Sequence, residues 1–230
     1  MISGTTTIPF LISKQSSREI APRRLYVDGK KDFFVLKRIF DIVVSALFIL
    51  FILTWLFPLL AFVILVDSRG PVLFVQRRVG RAGKSFKCYK FRTMVSNPEA
   101  DMRPAIVGDP RVTAIGKFLR EYNIDEFPQF LNVLLGNMSI VGPRPHMFSD
   151  CAAYSSKIPG YKFRTFVKPG ITGLAQAHGF HGPAIDPEML HTRFKLDAYY
   201  VQHASIELDI RIIYATVARR MRQMVAKSSQ

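Results

Sequence analysis

The residues whose types and spacing could do chemistry fall between positions 109 and 145. Asp125 and Glu126 are adjacent and lead into Phe127-Pro128-Gln129. Proline is accommodated most easily in the first turn of a helix, where its missing N–H has no partner to lose, so the acidic pair is expected at a helix N-terminus. Free N–H groups and the positive end of the helix dipole keep carboxylates ionised there and can also hold a phosphate. Plain N-capping is the simpler account of an isolated Asp-Glu pair. A second feature weighs against isolation: Gly142-Pro143-Arg144-Pro145 clamps one arginine between two prolines, which fixes the backbone and limits where the guanidinium fork can point. A cation pinned in this way suits a phosphate. Lys90-Phe91-Arg92-Thr93 adds two cations and a hydroxyl, which a solvated basic strand would also contain.

Other patterns are set aside. Arg78-Val79-Gly80-Arg81-Ala82-Gly83-Lys84-Ser85 imitates the end of a GxxxxGK[ST] phosphate loop, but Arg78 replaces its first glycine and the surrounding residues alternate like a hairpin. His178-Gly179-Phe180-His181 lacks a further ligand at metal spacing, and two polar loop histidines are the simpler account. Cys88 and Cys151 have no CxxC partner, which fits a reducing compartment and argues against disulfide or zinc-finger architecture.

The elements that must position these groups begin with a membrane segment. Ile42 to Val66 carries no charge and is interrupted only by Ser45, Thr54 and Pro58. As a straight helix it would span about 37 Å, more than the ~30 Å of a hydrocarbon core. A signal peptide fits badly, because the run starts late, is too long and ends without an Ala-x-Ala pattern. Basic residues flank it on both sides, with Lys30, Lys31, Lys37 and Arg38 before it and Arg69, Arg77, Arg78 and Arg81 after it. Cytoplasmic flanks hold the excess of Lys and Arg, so a single crossing would put one cluster on the unfavoured side. A helix that enters, breaks at Pro58 and leaves on the same face satisfies both clusters; the alternative is a proline-kinked transmembrane helix.

Beyond this segment, Val72–Gln76 and Phe86–Phe91 read as two strands around a turn with Gly80 and Gly83. Helical spacing follows through Ile115, Phe118, Leu119 and Tyr122, and again through Phe127, Phe130, Leu131, Leu134 and Leu135. In the tail Ile206, Ile210, Ile213, Val217, Met221 and Met224 recur every three or four residues among arginines. That pattern is an amphipathic helix, either lying on anionic headgroups or facing a core with a solvated basic side. The chain of 230 residues is 49 % apolar with a mean hydropathy of +0.14, which excludes a disordered chain. Thirty-two Lys and Arg against 17 Asp and Glu leave +15, so anionic partners are expected, although charge alone does not choose among nucleic acid, lipid and phosphorylated small molecules. Aromatic and basic residues interleave only over Tyr89–Arg92 and no nucleic-acid reader motif is present, so a nucleic-acid partner is not expected.

Taken in order, Lys37-Arg38-Ile39-Phe40-Asp41, Tyr89-Lys90-Phe91-Arg92-Thr93-Met94, Asp109-Pro110-Arg111-Val112-Thr113, Asp125-Glu126-Phe127-Pro128-Gln129, Asn132-Val133-Leu134, Met138 through Pro145, and Lys168-Pro169-Gly170-Ile171-Thr172-Gly173 resemble the bacterial sugar transferases. These are the small monotopic polyprenyl-phosphate phosphoglycosyl transferases. The resemblance implies an α+β membrane-associated, monotopic enzyme with three parts: a basic extension over 1–36, a re-entrant helix hairpin over 37–67 broken at Pro58, and a catalytic domain over 68–230 with a short β-hairpin and amphipathic interfacial helices. It implies residence in the inner membrane of a bacterium with the catalytic domain on the cytoplasmic face. Its activity would move a sugar 1-phosphate from a nucleotide sugar, UDP-linked by expectation, to undecaprenyl phosphate, the first membrane step of exopolysaccharide or other surface glycan assembly.

By the same resemblance Asp125 would be the nucleophile that carries the phosphosugar, and Glu126 would assist through Mg²⁺, with both carboxylates as candidate metal ligands. Apart from the resemblance, the residue types make Lys90, Arg92, Thr93, Arg111 and Arg144 the expected ligands of substrate phosphates, and residues 173–190, with His178 and His181, the expected sugar-selecting region. Anionic lipids are expected neighbours and a homo-oligomer is allowed. Longer members carry extra amino-terminal transmembrane helices for which this chain has no room. Phe127 where Leu is usual keeps an apolar side chain, whereas Asn137 where Asp is usual removes a charge.

Overall fold

A computed structural model describes residues 29–96, 106, 108–180, 182 and 186–228. Most of the amino-terminal extension, residues 1–28, and His181 lie outside the described residues.

Helix α1 (Lys31–Phe48) passes through a π-helical turn (Ile49–Leu53) into α2 (Thr54–Asp67), a stretch of 37 residues. The chain becomes helical six residues before the expected boundary at Lys37, because nothing between Lys31 and Leu36 breaks a helix. Pro58 lies inside α2 and does not end it. Helical backbone continues through the proline, which can bend a helix without ending it, and the widened turn falls ahead of it. There Thr54 Oγ1 donates 2.8 Å to the Ile49 carbonyl and helps to satisfy the loosened ladder. Trp55, Phe62 and Val66 are exposed at 77, 68 and 72 %, whereas Lys37, Asp41 and Ser45 are buried at i, i+4 spacing and Leu53, Leu60 and Ile64 continue the buried side.

Burying polar groups on an apolar helix is tolerable only where they find partners. Lys37 Nζ lies 2.6 Å from Asp209 Oδ2, and Asp41 Oδ1 accepts from Ser139 Oγ and the Ile140 N–H, both at 3.0 Å. At its start the helix is thus tied to the rest of the chain. Its middle is tied too, since Phe48 stacks on Phe130 at 3.9 Å and meets Phe127 edge-on, and Phe57 packs on Phe91. At its end the Arg92 guanidinium donates to the carbonyls of Ile64, Ser68 and Arg69.

Strand β1 (Leu73–Val79) pairs antiparallel with β2 (Ser85–Phe91), in the register Leu73↔Phe91 to Val79↔Ser85. The hairpin is the expected one, with its first strand starting one residue later and ending three residues later. Its turn uses Ala82 and Gly83 at positive φ. Helix α3 (Ala114–Glu121), capped by the Thr113 side chain accepting from the Gly116 N–H, packs on α2. Helix α4 (Gln129–Leu134) packs on α1 and β2, and Asn132 pairs with the strand as another strand would: its Oδ1 accepts from the Tyr89 N–H and its Nδ2 donates to the Lys87 carbonyl.

A second pairing, β3 (Ser139–Val141) parallel to β4 (Gly170–Thr172), was not expected, because three-residue strands show no alternation to read. Helices α5 (Phe148–Lys157), α6 (Leu174–Ala177), α7 (Pro187–His203) and α8 (Ile206–Ser228) complete the described chain. The main core gathers Phe86, Cys88, Val133, Met138, Val141, Tyr200, Val201 and Ile212 from the hairpin, α4, β3, α7 and α8. Of the apolar stripe expected on the tail helix, Ile210, Val217, Met221 and Met224 stay outside that core, beside Tyr214 at 76 % exposure.

Candidate active site

Asn123, at φ 56, ends α3 in the left-handed region, and a tight 3₁₀ turn (Ile124–Glu126) then carries both carboxylates. Pro128, expected inside the first turn, stands one position earlier. Pro128 is the cap of α4, the acidic pair stands ahead of it, and a six-residue helix has little dipole to offer an anion.

Side chains therefore supply the positive potential. Lys90 Nζ reaches Glu126 Oε1 at 2.6 Å, and Arg144 reaches Oε1 at 2.7 Å and Oε2 at 3.2 Å. Burial alone would raise this carboxyl, but Arg144 and Lys90 outweigh it and hold Glu126 well below the usual carboxylate range. Glu126 in turn holds the Arg144 guanidinium above its ordinary value. Asp125, 8 % exposed, makes no hydrogen bond to the described residues. Burial pushes it up to about 6 against the pull of Lys90, Arg120 and Arg144, with Glu126 adding to the rise. Two adjacent carboxylates are thus driven apart: one is clamped as an anion between two cations, and the other faces the cavity unpaired.

Arg144 is aimed from behind. Arg164 donates 2.7 Å to the Arg144 carbonyl while its Nε and Nη2 hold Asp197 Oδ2 at 3.0 and 2.8 Å, all in the interior. Gly142 gives its N–H to the Thr172 carbonyl at 2.9 Å, and a Cβ there would overlap the Lys168 carbonyl. The Pro143-Arg144-Pro145 loop can therefore lie against β4 only because residue 142 is glycine.

These side chains open on a cavity of about 1080 Å³, lined by Asp125, Glu126, Lys90, Arg144 and Arg111, with Phe48 and Phe130 from the membrane-helix side. The remaining expected phosphate ligands are engaged elsewhere. Arg92 lines the cavity but spends its guanidinium on closing α2, and Thr93 Oγ1 accepts from Arg120 Nε at 2.7 Å. Arg111 holds the Asp109 carboxylate with two contacts of 2.9 and 2.7 Å. His178 stands outside the lining, exposed, with its Nδ1 paired to the Leu174 carbonyl at 2.8 Å. Gln176 and Gly182 line the cavity instead.

Sequence reading missed Arg120, Arg193, Arg219 and Arg220 in this lining. Arg219 and Arg220 belong to the basic side of the tail helix, which the sequence assigns to headgroups or solvent; no local pattern tells a cavity-facing arginine from a lipid-facing one. Arg164 is equally silent, since only the tertiary contact to Asp197 distinguishes it.

The profile of the family described as bacterial sugar transferase matches residues 32–223. A UDP-glucose:undecaprenyl-phosphate glucose-1-phosphate transferase of Klebsiella pneumoniae is 46 % identical over 184 residues, covering 80 % of this chain and 39 % of that protein. The exopolysaccharide production protein PSS of Rhizobium leguminosarum bv. phaseoli is 44 % identical over 192 residues, covering 81 % of this chain and 96 % of that one. A UDP-N-acetylgalactosamine-undecaprenyl-phosphate N-acetylgalactosaminephosphotransferase of Aeromonas hydrophila is 42 % identical over 158 residues, covering 68 % and 37 %. The chain therefore spans about two fifths of the length of two of these relatives, and nearly all of the third.

Proposed function

The chain belongs to the bacterial sugar transferase family, and from that premise we propose that it transfers a hexose 1-phosphate from a UDP-sugar to undecaprenyl phosphate through a covalent phosphosugar on Asp125. The observation that carries the reading is the unequal pair. A nucleophile must be unpaired, ionised and open to the substrate. Asp125 meets these conditions: with its carboxyl at about 6, roughly nine tenths of it is ionised at pH 7.

In the first half-reaction an Asp125 carboxylate oxygen forms a bond to the phosphorus that bears the sugar. The bond from that phosphorus to the bridging oxygen breaks, and UMP leaves with the electron pair. In the second, an oxygen of undecaprenyl phosphate attacks the same phosphorus and releases the Asp125 carboxylate. Lys90 and Arg144 offset the negative charge that builds on the phosphoryl oxygens, while their hold on Glu126 keeps both cations in position.

Mg²⁺ fits this donor set in a particular way. Among the described residues no group of three or more His, Cys, Asp or Glu is gathered, so a dedicated protein cage is absent from them. Mg²⁺ commonly takes one or two carboxylates and completes its shell with phosphate oxygens and water. Asp125 and Glu126 would hold it together with the donor pyrophosphate. When bound it neutralises phosphate charge.

The membrane segment supports a re-entrant reading. A straight helix over Lys31–Asp67 would be roughly 55 Å long, yet its start, middle and end all contact one body through Lys37, Phe48, Phe57 and Ile64. A crossing would hold the two ends apart by a hydrocarbon core of ~30 Å. We infer that both ends stay on the cytoplasmic face of the inner membrane and that the exposed stripe of α8 lies along its surface.

The covalent step is tested without acceptor. Enzyme incubated with Mg²⁺ and a UDP-sugar, drawn from UDP-glucose, UDP-galactose and UDP-N-acetylgalactosamine, should gain the mass of a sugar phosphate on a peptide containing Asp125. Undecaprenyl phosphate should remove it. Asp125→Asn should abolish the adduct and UMP release; substantial turnover in that variant, or UMP release only with both substrates present, establishes direct transfer instead.

A further inference from the structure

The far end of α4 from the Asp125–Glu126 turn carries a second concentration of positive charge. Gly136 follows the helix at φ +80, and a Cβ at that position would stand 3.5 Å from Arg38 Nη2 and 3.6 Å from Lys168 Nζ. The two cations therefore flank the bare glycine and lie at most about 7.1 Å apart. Arg38 is held by its donations to the Val133 and Leu134 carbonyls, at 2.6 and 2.8 Å. Lys168, half-buried, makes no hydrogen bond or ion pair with the described residues.

The charges that face Lys168 are Arg38, Asp41, Arg81 and Lys37. Asp41 is committed to Ser139 and Ile140, and Lys37 is neutralised by Asp209, while Arg81 lies over the Phe34 ring. Cations outnumber carboxylates in this group, and among the described residues no carboxylate forms an ion pair with Lys168. Burial, followed by Arg38, lowers the Lys168 ammonium from its ordinary range, the cost expected of two like charges left side by side. A phosphate could bridge both cations, its oxygens being ~2.5 Å apart and each N–H···O contact adding ~2.8 Å.

The surroundings indicate where that phosphate comes from. Leu135, next to Gly136, is 64 % exposed, and Val35, Leu36 and Ile39 around Arg38 are exposed apolar residues at the start of the membrane helix. Cations seated among apolar shoulders at the end of a membrane segment match a headgroup at the lipid boundary. A freely diffusing phosphate would have no use for Leu135. We propose that Arg38 and Lys168, across Gly136, form a binding site for the phosphodiester of an anionic phospholipid, separate from the catalytic cavity. The excess of cations over carboxylates disfavours zwitterionic headgroups, which bring a cation of their own.

The full chain, extracted in mild detergent and exchanged into mixed micelles containing phosphatidylglycerol or phosphatidylcholine, is examined by native mass spectrometry for retained lipid. Wild type should retain phosphatidylglycerol in preference to phosphatidylcholine. Lys168→Gln should reduce retention about fivefold and Lys168→Glu further, whereas Lys162→Glu, an equal charge change at an exposed lysine, should leave it unchanged. Inorganic phosphate at millimolar concentration should not displace the lipid. Equal loss in the Lys162 and Lys168 variants would reduce the effect to net charge, and equal retention of phosphatidylcholine or displacement by phosphate would overturn the lipid assignment. Lys168→Gln keeps the stem of the side chain, so it decides the matter should Lys168→Glu fail to fold. Because the readout is lipid retention, failure of the sugar-transfer reading would leave the result intact.

Discussion

Asp125 and Glu126 share a turn, yet their environments differ so much that their titrations diverge, and this has consequences in both activity and stability. Without Mg²⁺, the Asp125 carboxyl should titrate at about 6, well above the range of a free aspartate. An NMR titration of the metal-free enzyme checks this, and a midpoint near 4 would remove the burial argument. The stability effect follows from linkage. A carboxyl whose folded value is raised disfavours the folded state at every pH above that value and costs nothing below the unfolded one. Asp125→Asn should therefore be more stable than wild type at pH 7, by on the order of 1–3 kcal/mol, and should lose the advantage between pH 6 and pH 4. Thermal unfolding across that range measures it. Arg144 contacts Glu126 through both terminal nitrogens, so Arg144→Lys keeps a charge and loses the fork; a fall in kcat of about 10²-fold is expected, with folding intact. Unchanged turnover would leave Arg144 a structural partner of Glu126 alone.

Among the elements, the hairpin does two jobs that its sequence does not separate. Lys90 and Arg92 lie two residues apart at the end of β2 and its exit, and alternation along an extended chain gives them the same side; even so, Lys90 grips Glu126 while Arg92 closes the last turn of α2. Helix ends leave carbonyls short of partners, and those of Ser68 and Arg69, just past α2, share one guanidinium with the Ile64 carbonyl, which also accepts from the Ser68 N–H. Replacing Arg92 by Leu strands those acceptors and should cost on the order of 2 kcal/mol of stability, with KM for the nucleotide sugar unchanged in the folded fraction. A raised KM with unaltered melting would return Arg92 to the role of phosphate ligand. The membrane helix behaves similarly: Lys37 and Asp41 of its buried polar stripe are bonded into α8 and β3, so the segment is packed by its own catalytic body as much as by lipid.

For the molecule as a whole, that packing bears on topology. With the two ends of α1–α2 tied to one body, single cysteines introduced at Asp32 and Lys84, both exposed, in a background lacking Cys88 and Cys151, should be labelled only from the cytoplasmic side of sealed vesicles. Labelling from opposite sides would restore a transmembrane crossing and would require the contacts of Lys37 or Arg92 to be broken.

Much of this architecture is written in local patterns. A charge-free run, two basic flanks, an alternating hairpin and a proline-marked acidic pair are features of neighbours in the chain, and short-range physics acts on them before any fold exists; the membrane helix, β1, β2 and the position of the Asp125–Glu126 pair were legible for that reason. Residue type and the flanking prolines marked Lys90 and Arg144 as candidate phosphate ligands, and the structure brings both to Glu126. Which cation does what was not legible. Arg92, Thr93 and Arg111 have the composition of phosphate ligands, but a guanidinium binds whichever acceptor the fold brings nearest, whether helix carbonyls, a neighbouring aspartate or a substrate. The continuation of the helix through Pro58, the three-residue strands β3 and β4, and the support of Arg144 by Arg164 and Asp197 depend on contacts between segments far apart in sequence. Burial sets the separation of the two carboxylates in the same way: desolvation and the placement of charges belong to the packed interior, and neither exists until distant residues meet.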